Sequence, residues 1–223
     1  MAGPDQTTPP ERDTTRIDPA TLRTHEQYKL MTGTVYPRPI ALVTTLGPEG
    51  PNAAPFSFFN VMGVKPPMVM ISVGPRDGAA KDTVRNLLHL PEFVVHIVSF
   101  EQAEKMNICA TEFPRHVDEI ARAGFRTAPS DKVRPVRLIE CPVQMECRLL
   151  EMRKIGRLPY DLILGEVVML HYHPGIVDAR LNVDASRIDA IGRLAGPLNY
   201  VRTRDRFGLA VPPVPESDLI PPT

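Results

Sequence analysis

From Arg38 to Asn60 the chain places two apolar runs on either side of a stretch made of turn-forming residues, and no other part of the sequence limits its folding more. Pro39 to Leu46 is apolar and β-branched, with Thr44 and Thr45 near its end. Gly47-Pro48-Glu49-Gly50-Pro51-Asn52 is turn chemistry, and Ala53 to Asn60 sets Phe56, Phe58 and Phe59 around Ser57. Two strands joined by a reversal are predicted here. A third apolar run, Pro67 to Val73, passes through Gly74-Pro75-Arg76-Asp77-Gly78 into a helix predicted over Ala79 to Leu90. That glycine-containing entry, with Arg76, Lys81 and Thr83 beside it, suits an anion, because the first N–H groups of a helix lack partners and the positive end of its dipole points the same way.

The remainder is strand-dominated. Glu92 to Ser99 reads as a β-branched strand. Glu101 to Ala110 and His116 to Ala123 read as helices, the second stopped by Gly124. Cys141 to Glu151 and Leu162 to Tyr172 alternate as long antiparallel strands, connected by Arg153 to Tyr160. There is no internal repeat and no regular strand–helix–strand alternation of the kind that builds a parallel sheet. The expected fold is mainly β with peripheral helices, an antiparallel barrel, closed or split, because closure removes exposed strand edges. The 223 residues fit one such domain over 25–210. Residues 1–24 and the proline-rich 211–223 lack periodicity and are expected to be arms outside the core.

Charge and cysteine usage exclude several functions. The 26 basic and 26 acidic residues cancel, and no Lys/Arg block supplies the electrostatic footprint of a nucleic-acid or acidic-membrane binder. Small molecules or proteins are the expected partners. Cys109, Cys141 and Cys147 have no Cys-x-x-Cys spacing, and an odd count without a signal peptide argues for buried packing residues in a reducing compartment. With no run approaching ~18 uninterrupted apolar residues, a cytoplasmic protein is expected.

The order and spacing of several pieces resemble the flavin reductase-like family of the FMN-binding split-barrel superfamily. They are Tyr36-Pro37-Arg38-Pro39-Ile40 with Val43-Thr44-Thr45, Asn52 to Phe59, Pro66-Pro67 to Ser72, Lys81-Asp82-Thr83, Glu92-Phe93-Val94-Val95, and Gly192-Arg193-Leu194 with Asn199-Tyr200. The resemblance covers roughly 25–210. It implies a split antiparallel barrel that binds FMN, with FAD as a possible substitute and NAD(P)H as electron donor. By the same resemblance Arg38, Thr44, Thr45, Asn52, Ala54, Ser57 and Phe58 lie along the flavin, and Ser72, Arg76, Lys81 and Thr83 lie towards its phosphate. Arg193, between Gly192 and Leu194, is expected to touch cofactor or substrate. Side chains alternate along a strand, so if Thr45 faces the ligand Thr44 faces away unless a bulge intervenes.

No Gly-x-Gly-x-x-Gly and no P-loop occurs, and no catalytic dyad is legible. A flavoenzyme needs none, since the cofactor carries the redox chemistry. His171-Tyr172-His173 puts two imidazoles on one strand face, but without a clear third ligand no metal is expected. His96, mid-strand where the resembling family often carries Asn, is expected to be a satisfied core histidine. The implied function is an NAD(P)H:flavin reductase that supplies a partner oxygenase, acting as a homodimer. The alternatives are a flavoprotein that retains FMN and acts on a small organic substrate, or a non-catalytic FMN-binding electron carrier.

Overall fold

The computed structural model describes residues 14–215. Its twelve strands are β1 (Arg38–Pro39), β2 (Ala41–Gly47), β3 (Gly50–Phe56), β4 (Phe59–Val64), β5 (Pro67–Val73), β6 (Glu92–Ile97), β7 (Thr127–Ala128), β8 (Arg137–Leu138), β9 (Val143–Ile155), β10 (Tyr160–Tyr172), β11 (Ile191–Arg193) and β12 (Tyr200–Arg202). Five helices accompany them: α1 (Thr24–Thr34), α2 (Asp82–His89), α3 (Ala103–Ile108), α4 (Glu119–Ala123) and α5 (Ala185–Ile188).

Seven strands form one antiparallel sheet in the order β3-β2-β6-β9-β10-β5-β4. Its two edges, β3 and β4, are consecutive in the chain and separated only by Ser57 and Phe58. The sheet therefore curls until its edges meet, and the barrel stays split at the seam where those two residues sit. A smaller sheet, β1-β11-β12, sets Arg38 opposite Arg193.

Alternation along β2 explains its unbroken apolar character. Ala41 and Val43 point into the barrel with Phe56, Ile71, Phe93 and Ile163. Ile40, just before the strand, and Leu42 point outward and pack with Met106, Cys109, Ile120 and Leu138 beneath α3 and α4. A strand buried on both faces needs apolar residues at every position. Helix α2 adds Val84 and Leu87 to the barrel core, an i, i+3 pair on one face. At Gly165, where the β9–β10 register shifts, a Cβ would overlap the Phe93 ring.

Local chemistry moves several expected boundaries. The helix expected over Ala79 to Leu90 starts at Asp82, because Arg76 and Ala79 exchange backbone hydrogen bonds and Lys81 is extended. The segment expected to be helical from His116 begins at Glu119. There the Asp118 carboxylate accepts from the N–H groups of Ile120 and Ala121 as an N-cap, and Gly124 ends the helix at φ 69° as foreseen. Glu101 to Ala110 divides into a 3-10 turn, Phe100–Gln102, followed by α3. The β9–β10 connection is shorter than Arg153 to Tyr160, since Gly156 at φ 90° turns the chain within four residues. Helix α1 was not foreseen. Its Thr-Gly-Thr end and scattered apolar residues give no period of 3.6. The expected arms fall partly on residues 1–13 and 216–223, which lie outside the described residues; 211–215 form no regular element.

Candidate functional site

Three openings follow β3 and its continuation in chain order. Asn52 and Ala54 line a crevice of about 30 Å³ with Arg76, Lys81, Thr83 and Glu119. Phe56 and Ser57 line a hollow of about 160 Å³ with Met106, Arg193 and Tyr200. Ser57 and Phe58 line a cavity of about 740 Å³ with Tyr28, Arg38, Ser72 and Tyr160. At ~3.3 Å per residue, Asn52 to Phe58 spans about 20 Å, a track suited to an elongated ligand.

The crevice has the character of an anion seat. Helix α2 begins there with no side-chain cap on its first N–H groups. Lys81 makes no ion pair among the described residues, and its ammonium stands 5.7 Å from the centre of the Phe56 ring. Burial, then the neighbouring Arg76, hold its pKa below the usual lysine value. The Arg76 Nε lies 2.9 Å from Glu112 yet makes no hydrogen bond. An ion-pair distance with a misdirected N–H leaves a buried donor available, which fits a phosphate group. Thr83 is buried, and its hydroxyl donates to Asn52 Oδ1 at 3.4 Å.

Two residues assigned to the flavin have their hydroxyls engaged elsewhere, and neither lines any of these three openings. Thr44 donates to the Val136 carbonyl at 2.7 Å. Thr45 lies within the Asn52 network, 3.0 Å from Asn86 Nδ2. The two threonines thus face opposite sides of β2, as strand alternation requires. Arg38 reaches the large cavity, but its NH1 donates to the carbonyls of Thr32 at 2.7 Å and Val35 at 2.6 Å, which fastens α1 to the seam. Burial lowers its pKa. Arg193 NH2 likewise donates to the Pro197 carbonyl at 2.6 Å, with the guanidinium 4.6 Å from the centre of the Tyr200 ring.

The cavity carries aromatic surface that the motifs did not signal. The Phe58 ring centre lies 6.3 Å from that of Tyr28 and 6.1 Å from that of Tyr160. Burial raises the Tyr160 pKa. Glu119, also unforeseen, is 7% exposed; it accepts from Asn52 Nδ2 at 3.0 Å and the Ala53 N–H at 3.4 Å. Burial raises its pKa. Its only sequence signal was the helix start after Asp118, which says nothing of what the side chain meets.

The histidines lie elsewhere. His96 is fully buried; Nε2 accepts from the Leu138 N–H at 2.9 Å, so Nδ1 carries the proton and donates to the Leu42 carbonyl at 2.9 Å. It is a satisfied core histidine, its pKa lowered to about 4 by burial. His173 Nε2 meets the Ile139 carbonyl at 2.8 Å, and His171 Nε2 meets Glu146 at 2.6 Å. Asp131, Glu146 and His171 thereby gather within 4.8 Å, a grouping hidden in the sequence. The Glu146 carboxylate already accepts from the N–H groups of Asp131 and Lys132. Burial opposes its charge, but these N–H groups and the imidazole hold its pKa below the usual range. Burial pushes the Cys109 thiol up to about 12 and raises Cys141 and Cys147 further.

No described helix is long and apolar enough to cross a membrane. Residues 32–207 match the model of the flavin reductase like domain. Among solved structures, the chain is similar to nitrilotriacetate monooxygenase component B from Bacillus cereus, with 33% identity, a TM-score of 0.85, and coverage of 89% of this chain and 100% of that one. It is similar to the 2-nitrobenzoate 2-nitroreductase of Pseudomonas fluorescens, with 37% identity, a TM-score of 0.81, and coverage of 91% and 100%. A split-barrel-domain protein of Shewanella frigidimarina, 15% identical at a TM-score of 0.76 over 87% and 96% of the two chains, shares the fold.

Proposed function

The chain belongs to the flavin reductase like domain family, and from that premise we propose that it is an FMN-dependent oxidoreductase that takes electrons from NAD(P)H and passes reduced flavin to a partner oxygenase. The observation that carries this is the anion seat: an unpaired Lys81, a buried Arg76 Nε without a hydrogen bond and the uncapped start of α2 meet at one end of a track along β3. These residues would hold the phosphate. Ser57 and the neighbouring aromatic residues would line the rest, while Arg38, through its backbone contacts, keeps the seam in shape. A bound flavin supplies hydride and electron transfer, which leaves the chain to bind, align and exclude water. The similarity to component B of a monooxygenase supports the link to an oxygenase.

The 740 Å³ cavity favours a second reading, in which FMN is retained and a small organic substrate enters beside Phe58; the similarity to a nitroreductase supports it. We also propose a homodimer, because Val61, Met62 and Val64 on the β4–β5 hairpin are exposed apolar residues. The three buried thiols suit a reducing interior such as the cytoplasm. The test is the visible spectrum of the purified protein with FMN, followed by NADH or NADPH in oxygen-free buffer. Bound flavin that bleaches rapidly is the expected result. Bound flavin that stays yellow with both donors would identify an electron carrier or a protein reduced by another enzyme. Loss of flavin on reduction favours the supplier of oxygenases, and retention favours the substrate-specific enzyme.

A further inference from the structure

The charges around the crevice do not balance group by group. Arg76 faces Glu112, Asp82 is paired with both Arg85 and Arg115, and Arg115 also meets Glu49. Lys81 and Glu119 remain, each without an ion-pair partner among the described residues. Glu119 is 7% exposed, and its carboxylate has only neutral donors among the described residues, the Asn52 amide and the Ala53 N–H. An uncompensated carboxylate therefore stands in the wall of the seat that the flavin reading assigns to a phosphate. Like charges at such short range, away from bulk water, oppose each other strongly.

The geometry points to Glu119 as a charge control on flavin binding: ionised, it opposes a phosphate beside Lys81; protonated, it admits one, so that binding the cofactor takes up a proton. This inference rests on the assignment of the crevice to the flavin phosphate. The titratable and charged groups that share the crevice with Glu119 are Arg76 from the loop after β5, Lys81 and Asp82 at the start of α2 and Cys109 after α3, with Asp118 on its own element; Glu112 and Arg115 stand behind them, paired with Arg76 and Asp82. The guanidinium groups are compensated by carboxylates and the Cys109 thiol is held neutral. Glu119 is thus the carboxylate in the wall of the crevice with no cationic partner among the described residues, and its ionisation changes the net charge that a ligand there would meet. Burial raises its pKa, which moves that change towards neutral pH. Ionised Glu119 also accepts from both Asn52 Nδ2 and the Ala53 N–H, so protonation loosens the Asn52 amide that Thr83 leans on.

The experiment titrates FMN and riboflavin, which lacks the phosphate, against the full chain and Glu119→Gln between pH 5.5 and 8.5. At pH 8 the variant is expected to bind FMN about tenfold more tightly than the unaltered protein. The gap should narrow as the pH falls and Glu119 takes up its proton, leaving the titration of the phosphate. Riboflavin should show no difference at any pH. An absent gap for FMN at pH 8, or an equal gap for riboflavin, would overturn the proposal. Calorimetry of the unaltered chain between pH 5.5 and 8.5, at each pH in two buffers of different ionisation enthalpy, covers the case of a misfolded variant: a range of net proton uptake with FMN is expected, and its absence throughout refutes the control by Glu119. If neither protein binds FMN at any pH, the flavin reading itself fails and takes this inference with it.

Discussion

Lys81 and His96 are polar groups, partly and fully buried, one with no ion pair among the described residues and the other with both ring nitrogens engaged. Lys81 is partly buried beside an aromatic ring and forms no ion pair among the described residues, an arrangement that a bound anion would complete. Replacing it with alanine should weaken FMN binding tenfold to a hundredfold, from the loss of about 1.5–3 kcal/mol in one charge-assisted contact, while leaving the melting temperature unchanged. Flavin fluorescence quenching gives the affinity and circular dichroism the melting point. His96 is buried with both nitrogens engaged, and its pKa falls from 6.5 to about 4. The unfolded chain therefore binds a proton below pH 6.5 that the folded one refuses. The neutral ring's contribution is complete above 6.5 and is lost as the pH falls towards 4. Between pH 7 and 5 this amounts to roughly 2 kcal/mol. His96→Asn should be less stable at pH 7 but lose less on acidification, as urea midpoints at the two pH values will show.

Among the elements, the β2–β3 reversal and α2 act as one unit. Asn86 on α2 donates to Thr45 on β2, and Thr45 and Thr83 both reach Asn52 on β3. The contact is close because Gly47 has no Cβ; an added one would lie 2.7 Å from Asn86 Cγ. Gly47→Ala should displace Asn86, destabilise the fold by ~1–3 kcal/mol through overpacking, and weaken FMN binding through the disturbed Asn52 amide. A variant with lowered stability but unchanged FMN affinity would show that this network supports the fold alone. The hairpin itself was legible in sequence, since turn residues flanked by apolar runs carry their own local energetics. Its contact with α2 was not, because Gly47 and Asn86 meet only when the sheet curls.

For the whole molecule, the exposed apolar hairpin is the feature that a lone barrel leaves unexplained. Val64 is 83% exposed and Val61 67%, on a β4 edge that lies beside the open seam. Contiguous apolar surface of this kind marks association sites. Light scattering at micromolar concentration should give twice the chain's 24.8 kDa. Val64→Glu, at a position with no packing partner to lose, should shift the mass towards the monomer without lowering the melting temperature of the isolated chain. A particle of single-chain mass for the unaltered protein would remove the homodimer.

The sequence by itself determined the antiparallel strand content, the reversal after Gly47, the glycine stop after α4 and the placing of Arg76, Lys81 and Thr83 around the entry to α2. Each rests on local chemistry: period-two burial, turn propensity and unpaired N–H groups act over a few residues and leave their mark in order. The tertiary structure alone decided which hydroxyls and guanidinium groups were already spent, as with Thr44 on Val136 and Arg38 on Thr32 and Val35. It also brought Glu119 to Asn52 across 67 residues of chain and His171 to Glu146 across 25. Such pairs form because barrel closure buries polar groups that must then find partners, and the partner that happens to be near depends on the path of the whole chain.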